Sequence, residues 1–414
     1  MLLSEASRTE QEKKLVISLF KKTDLWDFKI ENYPNDTSRY KSQIVRITLI
    51  AGARPNFMKI SPIIHAIQKA HSEGKDISYR LVHTGQHFDE NMSGSFFEQL
   101  NIPEPHVNLE CRGGSQSEQT GNIMVNFERE LINNPTDIVL VVGDVTSTLA
   151  CSIVAKKLHT MVGHVEAGIR SGDMRMPEEI NRLVTDSISD YFFTTSEDAN
   201  QNLRNSGIAN NKIFFVGNTM IDTLLQNSER LRKPLIWDEI GLKEKEYFII
   251  TLHRPDNVDK EHKLKALLNK IGECAKELPV IFPVHPRTAK TLKSNRVDAA
   301  NIIMINPMGY LEFNYLVKKS MAVITDSGGI TEETTVMGVP CFTLRNNTER
   351  PETVSIGTNE LIGIDPEKLP PAFEKLFSGN WKKGEIPEFW DGKSAVRIVD
   401  ALLSIAFDRV GVNT

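Results

Sequence analysis

From Val45 onward the chain alternates short β-branched runs with segments of helical period, and this alternation narrows the fold more than any other feature. Repeated βα units of this kind build parallel sheets with helices on their faces. In the first half, strands are expected at VRITLIA from Val45, ISYRLVHT from Ile77, DIVLVV from Asp137, MVGHVE from Met161, YFFTT from Tyr191 and KIFFVG from Lys212. Between the first two, Phe57, Ile60, Ile63, Ile64 and Ile67 recur at helical spacing. Leu231–Glu246, with Pro234, Gly241 and several charges, reads as a linker, after which the pattern restarts. Its second run gives YFIITL from Tyr247, VIFPV from Val280, NIIMIN from Asn301, MAVITD from Met321 and PCFTL from Pro340. Strands buried on both faces read as continuous apolar runs, and these do. The expectation is two α/β halves, residues 45–230 and 231–392. Before them, residues 1–44 form an extension in which LVISLFKK reads as helical; after them, KSAVRIVDALLSIAF from Lys393 reads as one amphipathic helix.

Composition excludes several classes. The 414 residues are 40% hydrophobic and 25% charged, which is ordinary for a globular protein. Lys and Arg number 49 against 54 Asp and Glu, a net charge of −5 without a basic run, so neither nucleic acid nor a membrane surface is an expected partner. No stretch approaches the roughly 20 apolar residues of a membrane span. MLLSEASRTEQEKK lacks the pattern of a secretory signal, and the four cysteines lie far apart, without zinc or redox spacing. A cytoplasmic protein without a metal is expected.

In open parallel sheets, ligands gather at the carboxyl ends of strands, and here those ends are dense in polar residues. The first half offers AGARPNFMK, HTGQHFDE, VVGDVTST and GHVEAGIRSG, and then MPEEINR at a helix start. Pro177 suits the first helical position, with Glu178 and Glu179 in the first turn. The second half offers TLHRPDN, FPVHPRT, ITDSGGITEE and RNNTERPET. In ITDSGGITEE a strand ends at Asp326, Gly328 and Gly329 let backbone approach a ligand, and the helix start aims free N–H groups at an anion. Glu333, one turn in, is placed to accept two hydrogen bonds from the hydroxyls of a ribose. Neither G-x-G-x-x-G nor G-x-x-x-x-G-K-[ST] is present, so the sequence supports neither hydride chemistry nor ATP hydrolysis.

Asp144, Glu166 and Glu178 or Glu179 come from strand-end loops of one half. Taken singly, Asp144 is a turn former and Glu178 a helix-start carboxylate. Gathered in one cleft, such groups repel one another, and an apolar wall raises at least one pKa toward the range useful for proton transfer. His253 and His285 each end a strand beside an arginine; His285 suits a backbone hydrogen bond as well as a ligand. The two halves together suggest a substrate with a reacting sugar at one end and a diphosphate leaving group at the other.

In order, AGARPNFMK, TGQH, VVGDVTST, HVEAGIRSG, PEEINR, VGNTMID, TLHRPDN, PVHP, TDSGGITEE and RNNTERPET resemble the motifs of the non-hydrolysing UDP-N-acetylglucosamine 2-epimerases, from about Val45 to Gly363. The resemblance implies an α/β protein of two Rossmann-like domains facing a cleft, the glycosyltransferase B-type fold, with the last helix returning to the first domain. It implies reversible conversion of UDP-N-acetylglucosamine to UDP-N-acetylmannosamine by elimination and re-addition of UDP, without metal or nicotinamide, in a homodimer. Asp144, Glu166 and Glu178 match the family's acid–base carboxylates, and His253 its histidine near the phosphates. Arg54, Lys59, Arg182, His285, Ser327, Gly328, Gly329, Glu333 and Arg350 match positions that bind the UDP-sugar. Gln86, His87 and Arg112 match an allosteric site. Asn56 stands where the family has glutamate, Phe88 and Asp89 depart from its pattern after TGQH, and the loop between Glu166 and Glu178 is shorter than in some members.

Three other activities fit parts of this pattern. A glycosyltransferase on the same scaffold needs one base for an acceptor, fewer than the carboxylates gathered here. A hydrolysing relative usually lacks the Arg54–Pro55 pair. A sensor without catalysis has no use for Asp144, Glu166 and Glu178 together. A UDP-linked diacetamido sugar or uronic acid would use the same machinery with another sugar pocket.

Overall fold

The structure, a computed structural model, describes residues 44–86, 97–258, 261–284 and 299–411. Residues 1–43 of the extension, with the LVISLFKK segment, and also His87, Phe88, Asp89 and His285, lie outside the described residues, as does the side chain of Arg54.

Two parallel sheets organise residues 44–411. The first holds seven strands in the order β3-β2-β1-β4-β5-β6-β7. These are β1 (Val45–Ala51), β2 (Ile77–His83), β3 (Val107–Asn108), β4 (Ile138–Val142), β5 (Met161–Val165), β6 (Tyr191–Thr194) and β7 (Ile213–Phe215). The second holds six in the order β10-β9-β8-β11-β12-β13, namely β8 (Phe248–Thr251), β9 (Val280–Pro283), β10 (Ile302–Ile305), β11 (Ala322–Thr325), β12 (Cys341–Thr343) and β13 (Asn359–Leu361). All eleven apolar runs read from the sequence contain a strand. Sequence reading missed β3 and β13, both at sheet edges, where VN and NEL carry too little apolar character to register as strands.

Helices sandwich each sheet. In the first lobe these are α1 (Arg54–Ser72), α2 (Gln116–Asn133), α3 (Thr146–Lys157), α4 (Pro177–Ile188), α5 (Glu197–Asn205) and α6 (Thr219–Gln226); in the second they are α7 (Glu261–Cys274), α8 (Tyr310–Lys319), α9 (Gly328–Met337) and α10 (Leu369–Phe377). The apolar stripe of α1, Phe57, Ile60, Ile63, Ile64 and Ile67, packs on Ile47, Leu49 and Leu140 of the sheet. Each such fully buried side chain contributes about 1.5–3 kcal/mol. The opposite face is covered by Ile123 and Phe127 of α2, lying against Val139 and Val141. The final helix, α11 (Ser394–Gly411), follows the second lobe in sequence, yet Ile398, Val399 and Leu402 join the core of the first. Leu231–Glu246 is no free linker: Leu242 is buried in the second lobe, and Trp237 packs edge-on against Tyr247 and Tyr315.

Strand order reverses between β1 and β4 in one sheet and between β8 and β11 in the other. Loops diverge at such switch points and leave a crevice beyond the strand ends. The two crevices face each other: Arg350 of the second lobe reaches Glu166 of the first at 3.2 Å, and Asn347 donates to the Ser171 carbonyl at 3.3 Å.

Candidate active site

On the first-lobe wall, α1 starts directly after β1 because Asn56 ties the turn. Its side-chain oxygen accepts from the Gly52 and Ala53 amides at 3.1 and 2.9 Å, and its amide donates to the Val142 carbonyl at 2.9 Å. A glutamate could accept those bonds but could not donate to Val142, so the departure at this position has a physical reason. One turn later Lys59, 8% exposed, pairs with Glu166.

At the end of β4, Gly143 adopts φ 71°, and a Cβ there would lie 3.2 Å from both the Glu166 carboxylate and the Lys59 ammonium. Asp144 follows, its main-chain carbonyl held by the Asn181 amide at 2.7 Å and its carboxylate paired with Arg182. Burial works to raise its pKa, but Arg182, Lys59 and Arg350 outweigh burial and hold it below the usual range. Beneath this turn lies buried His164, with Nε2 2.9 Å from the Gly143 carbonyl and Nδ1 2.7 Å from Asp186. Asp186 also pairs with Arg170 at 2.6 Å.

Glu166 directly follows β5 in a left-handed conformation, φ 68°, which costs a non-glycine residue about 1–3 kcal/mol. Its amide is fixed to the Phe193 carbonyl at 2.9 Å, and its carboxylate is clamped between Lys59 and Arg350. Glu178 and Glu179 have different environments. Glu179 is buried and accepts from the Ser171 and Gly172 amides at 2.9 and 3.0 Å, with Arg182 at 2.9 Å, so it fastens the preceding loop. Glu178 is half-buried, and its carboxylate has no hydrogen bond or ion pair among the described residues.

On the second-lobe wall, Asp326 directly follows β11, is fully buried and gathers the loop after β8. It accepts from the amides of His253 and Arg254 at 3.1 and 3.0 Å and from Asn257 at 2.9 Å, and it holds His253 Nδ1 at 2.9 Å. The His253 side chain stays 62% exposed. Burial would raise the Asp326 pKa, but His253 and its other donors hold it down. Ser327 then starts α9 without capping it by its side chain, which leaves the helix start to Gly328 and Gly329. A Cβ on Gly329 would lie 2.9 Å from Met220 of the first lobe, so the glycine admits that close approach. Glu333 is 4% exposed and accepts from the Tyr310 hydroxyl at 2.8 Å and Asn314 at 3.4 Å, and burial pushes its pKa up to about 7.

Charge alternates across the crevice. Arg350 bridges Glu166 and the fully buried Glu332. Glu349 draws in Arg345 at 2.5 Å and Arg254 at 3.2 Å, with Arg182 at 3.8 Å; burial opposes ionisation, yet these arginines hold its pKa at about 2. Lys59, Arg182 and Arg350 therefore all rest on carboxylates. The structure brings Asp144, Glu166, Arg182, Lys59 and Arg350 together, with His253 and the α9 start on the other side. Gln86 lies apart from this cluster, accepting from Ser147 at 2.8 Å, and Arg112 is exposed. Asp326, Glu332 and Glu349 lie in the strand-end motifs ITDSGGITEE and RNNTERPET read from the sequence, but were given no catalytic or binding role there. A role for Asp326 was within reach, because it follows a buried strand at a switch point as Asp144 does; for Glu332 and Glu349 only the ion pairs with Arg350 and Arg345 reveal one. Among the described residues no cluster of three or more His, Cys, Asp or Glu is arranged to hold a metal ion, and no helix is long and apolar enough to cross a membrane.

The family profile described as UDP-N-acetylglucosamine 2-epimerase matches residues 69–403. A UDP-N-acetylglucosamine 2-epimerase of Methanocaldococcus jannaschii is 44% identical over 370 residues, covering 86% of this chain and 99% of that protein. A UDP-2,3-diacetamido-2,3-dideoxy-D-glucuronate 2-epimerase of Pseudomonas aeruginosa is 41% identical over 323 residues, covering 77% of this chain and 88% of that protein. Among solved structures, the M. jannaschii UDP-GlcNAc 2-epimerase in complex with UDP-GlcNAc and UDP superposes with a TM-score of 0.77 at 43% identity, over 87% of this chain and all of that one. The Neisseria meningitidis enzyme bound to UDP-GlcNAc gives 0.79 at 31% identity, over 87% of this chain and 100% of that one. With a profile match over most of its length and relatives aligned almost end to end, this chain belongs to the UDP-N-acetylglucosamine 2-epimerase family.

Proposed function

We propose that this protein interconverts UDP-N-acetylglucosamine and UDP-N-acetylmannosamine by eliminating and re-adding UDP. The observation that carries this reading is the Glu166–Arg350 contact at 3.2 Å, which joins the acid–base wall of one lobe to the cationic wall of the other across a single crevice. The M. jannaschii relative, solved with UDP-GlcNAc and UDP, supports the substrate class.

The proton on the second carbon is barely acidic, so it leaves only as the anomeric C–O bond breaks and UDP departs with the bonding electrons. The product is 2-acetamidoglucal. UDP then re-adds at the first carbon while a proton returns to the opposite face of the second. Two faces need two proton-handling groups, and Asp144, Glu166 and Glu178 provide them; Glu178, unpaired among the described residues, is free to donate or accept. His253, oriented by Asp326, meets the departing phosphate, and a cationic imidazolium there would stabilise its growing charge. The amides at Ser327, Gly328 and Gly329 hold the diphosphate. Glu333 takes the ribose hydroxyls, and Arg54 and His285 complete the UDP site. Lys59, Arg182 and Arg350 keep the gathered carboxylates in place beside the sugar. Gln86, His87 and Arg112 form a second nucleotide-sugar site that regulates the first.

The same reading includes a homodimer, testable by light scattering, and a cytoplasmic location, which the four free cysteines support. The 41% identity to the P. aeruginosa relative favours a diacetamido uronate as the second candidate substrate. NMR in heavy water tests both. Deuterium entering the second carbon of UDP-N-acetylglucosamine and of its epimer supports the proposal. Exchange confined to the diacetamido uronate transfers it to that sugar, and release of free N-acetylmannosamine with UDP overturns it in favour of hydrolysis.

A further inference from the structure

Glu332 is fully buried at the first turns of α9, and the mechanism above does not use it. Its Oε1 lies against Arg350 Nε, while Arg350 Nη2 lies 3.2 Å from Glu166 Oε1 and the other Glu166 oxygen rests on Lys59. Two carboxylates and two cations thus alternate in a space where all four side chains are at most 10% exposed. We propose that Glu332 is a positioning residue for the epimerisation: it shares the Arg350 guanidinium with Glu166 and thereby sets how tightly Glu166 holds its negative charge.

The proposal rests on the epimerase reading. A carboxylate held by two undivided cations is too stable an anion to take a proton from carbon. Glu332 divides the field of Arg350, and the four charges sum to zero. The groups facing it are Arg350, Glu166 and Lys59, with Asn218 alongside and the carboxyls of Glu333 and Glu352 close by. Burial and the charge of Glu166 push Glu332 toward its neutral form, and Arg350 resists. Lys59 and Glu166 belong to the first lobe and Arg350 and Glu332 to the second, so the balance exists only while the lobes are together.

The test compares pH profiles of kcat and kcat/KM, with deuterium exchange, for the wild type, Glu332→Gln and Glu332→Asp. In Glu332→Gln the whole guanidinium charge falls on Glu166. The acid limb should move down by about one pH unit, kcat should fall at least about tenfold, and KM should stay within about threefold. Glu332→Asp keeps the charge but retracts it by one methylene, so it should show an intermediate shift and recover much of kcat. A reduced kcat with an unmoved limb, or a change confined to KM, overturns the proposal. If Glu332→Gln does not give folded protein by circular dichroism, Glu332→Asp decides, because an unmoved limb there is also fatal. A wild type without exchange overturns the epimerase reading and this proposal with it, whereas exchange with an unmoved limb overturns this proposal alone.

Discussion

Each carboxylate of the crevice is set apart by what it touches. Asp144 is held by Arg182 and by the clamped turn beneath it, Glu179 is consumed in fastening a loop, and Glu178 is left without a partner among the described residues. Asp144→Asn should therefore abolish exchange at the second carbon in NMR while UDP affinity by calorimetry stays within about threefold, since a neutral isostere removes only the proton-handling group. A collapse of UDP binding would show that the two walls do not divide the work. Asp326 is fully buried and fixes the His253 ring. Asp326→Asn should lower kcat at least about tenfold with a smaller effect on KM, measured by steady-state kinetics, because the imidazole loses the carboxylate that orients it.

At the scale of elements, α1 carries Pro62 in its interior. Proline has no N–H to give the Met58 carbonyl one turn back. That carbonyl instead accepts from the Thr223 hydroxyl of α6, so one helix repairs the gap in the other. Thr223→Val should cost about 1–3 kcal/mol in urea denaturation by stranding a partly buried carbonyl. In a Pro62→Ala background, where the backbone regains the missing N–H, the same substitution should cost much less. On the same helix, Asp222 accepts from the Ser394 and Ala395 amides at 3.1 and 2.7 Å and so caps α11 across 172 and 173 residues of sequence. The VGNTMID motif thus serves to dock helices on one another and on the first lobe.

For the whole molecule, buried charge ties stability to pH. Burial raises the Glu333 and Glu352 pKa values from 4.5 to about 7 each. Folding then favours their neutral forms, so this stabilisation is complete below about pH 4.5 and is lost as pH rises through 7, by up to about 3 kcal/mol per group. Glu349, lowered to about 2, acts in the opposite sense, stabilising above its ordinary value of 4.5 and failing as pH falls through 2. Chemical denaturation should therefore find greater stability near pH 5 than near pH 8. Glu333→Gln and Glu352→Gln should each flatten that slope, and an unchanged slope in both would contradict the assignment.

The sequence by itself determined the two α/β lobes, because strands buried on both faces must be written as apolar runs and their covering helices at helical period. It also brought Asp144, Glu166 and His253 into view, since polar residues directly after such strands fall at the crevice. It could not reveal β3 and β13, whose VN and NEL carry too little apolar character, although the other two edge strands, IFF of β7 and IIMI of β10, were legible. Only the tertiary structure decided which neighbour is engaged and which is open. Glu178 and Glu179 are adjacent and chemically alike, yet the loop amides of Ser171 and Gly172 satisfy only Glu179. The pairing of Glu166 with Arg350, and through it with Glu332, joins residues far apart in the chain. Electrostatic partnership depends on distance and burial, which are set when the lobes meet, and no local pattern encodes them.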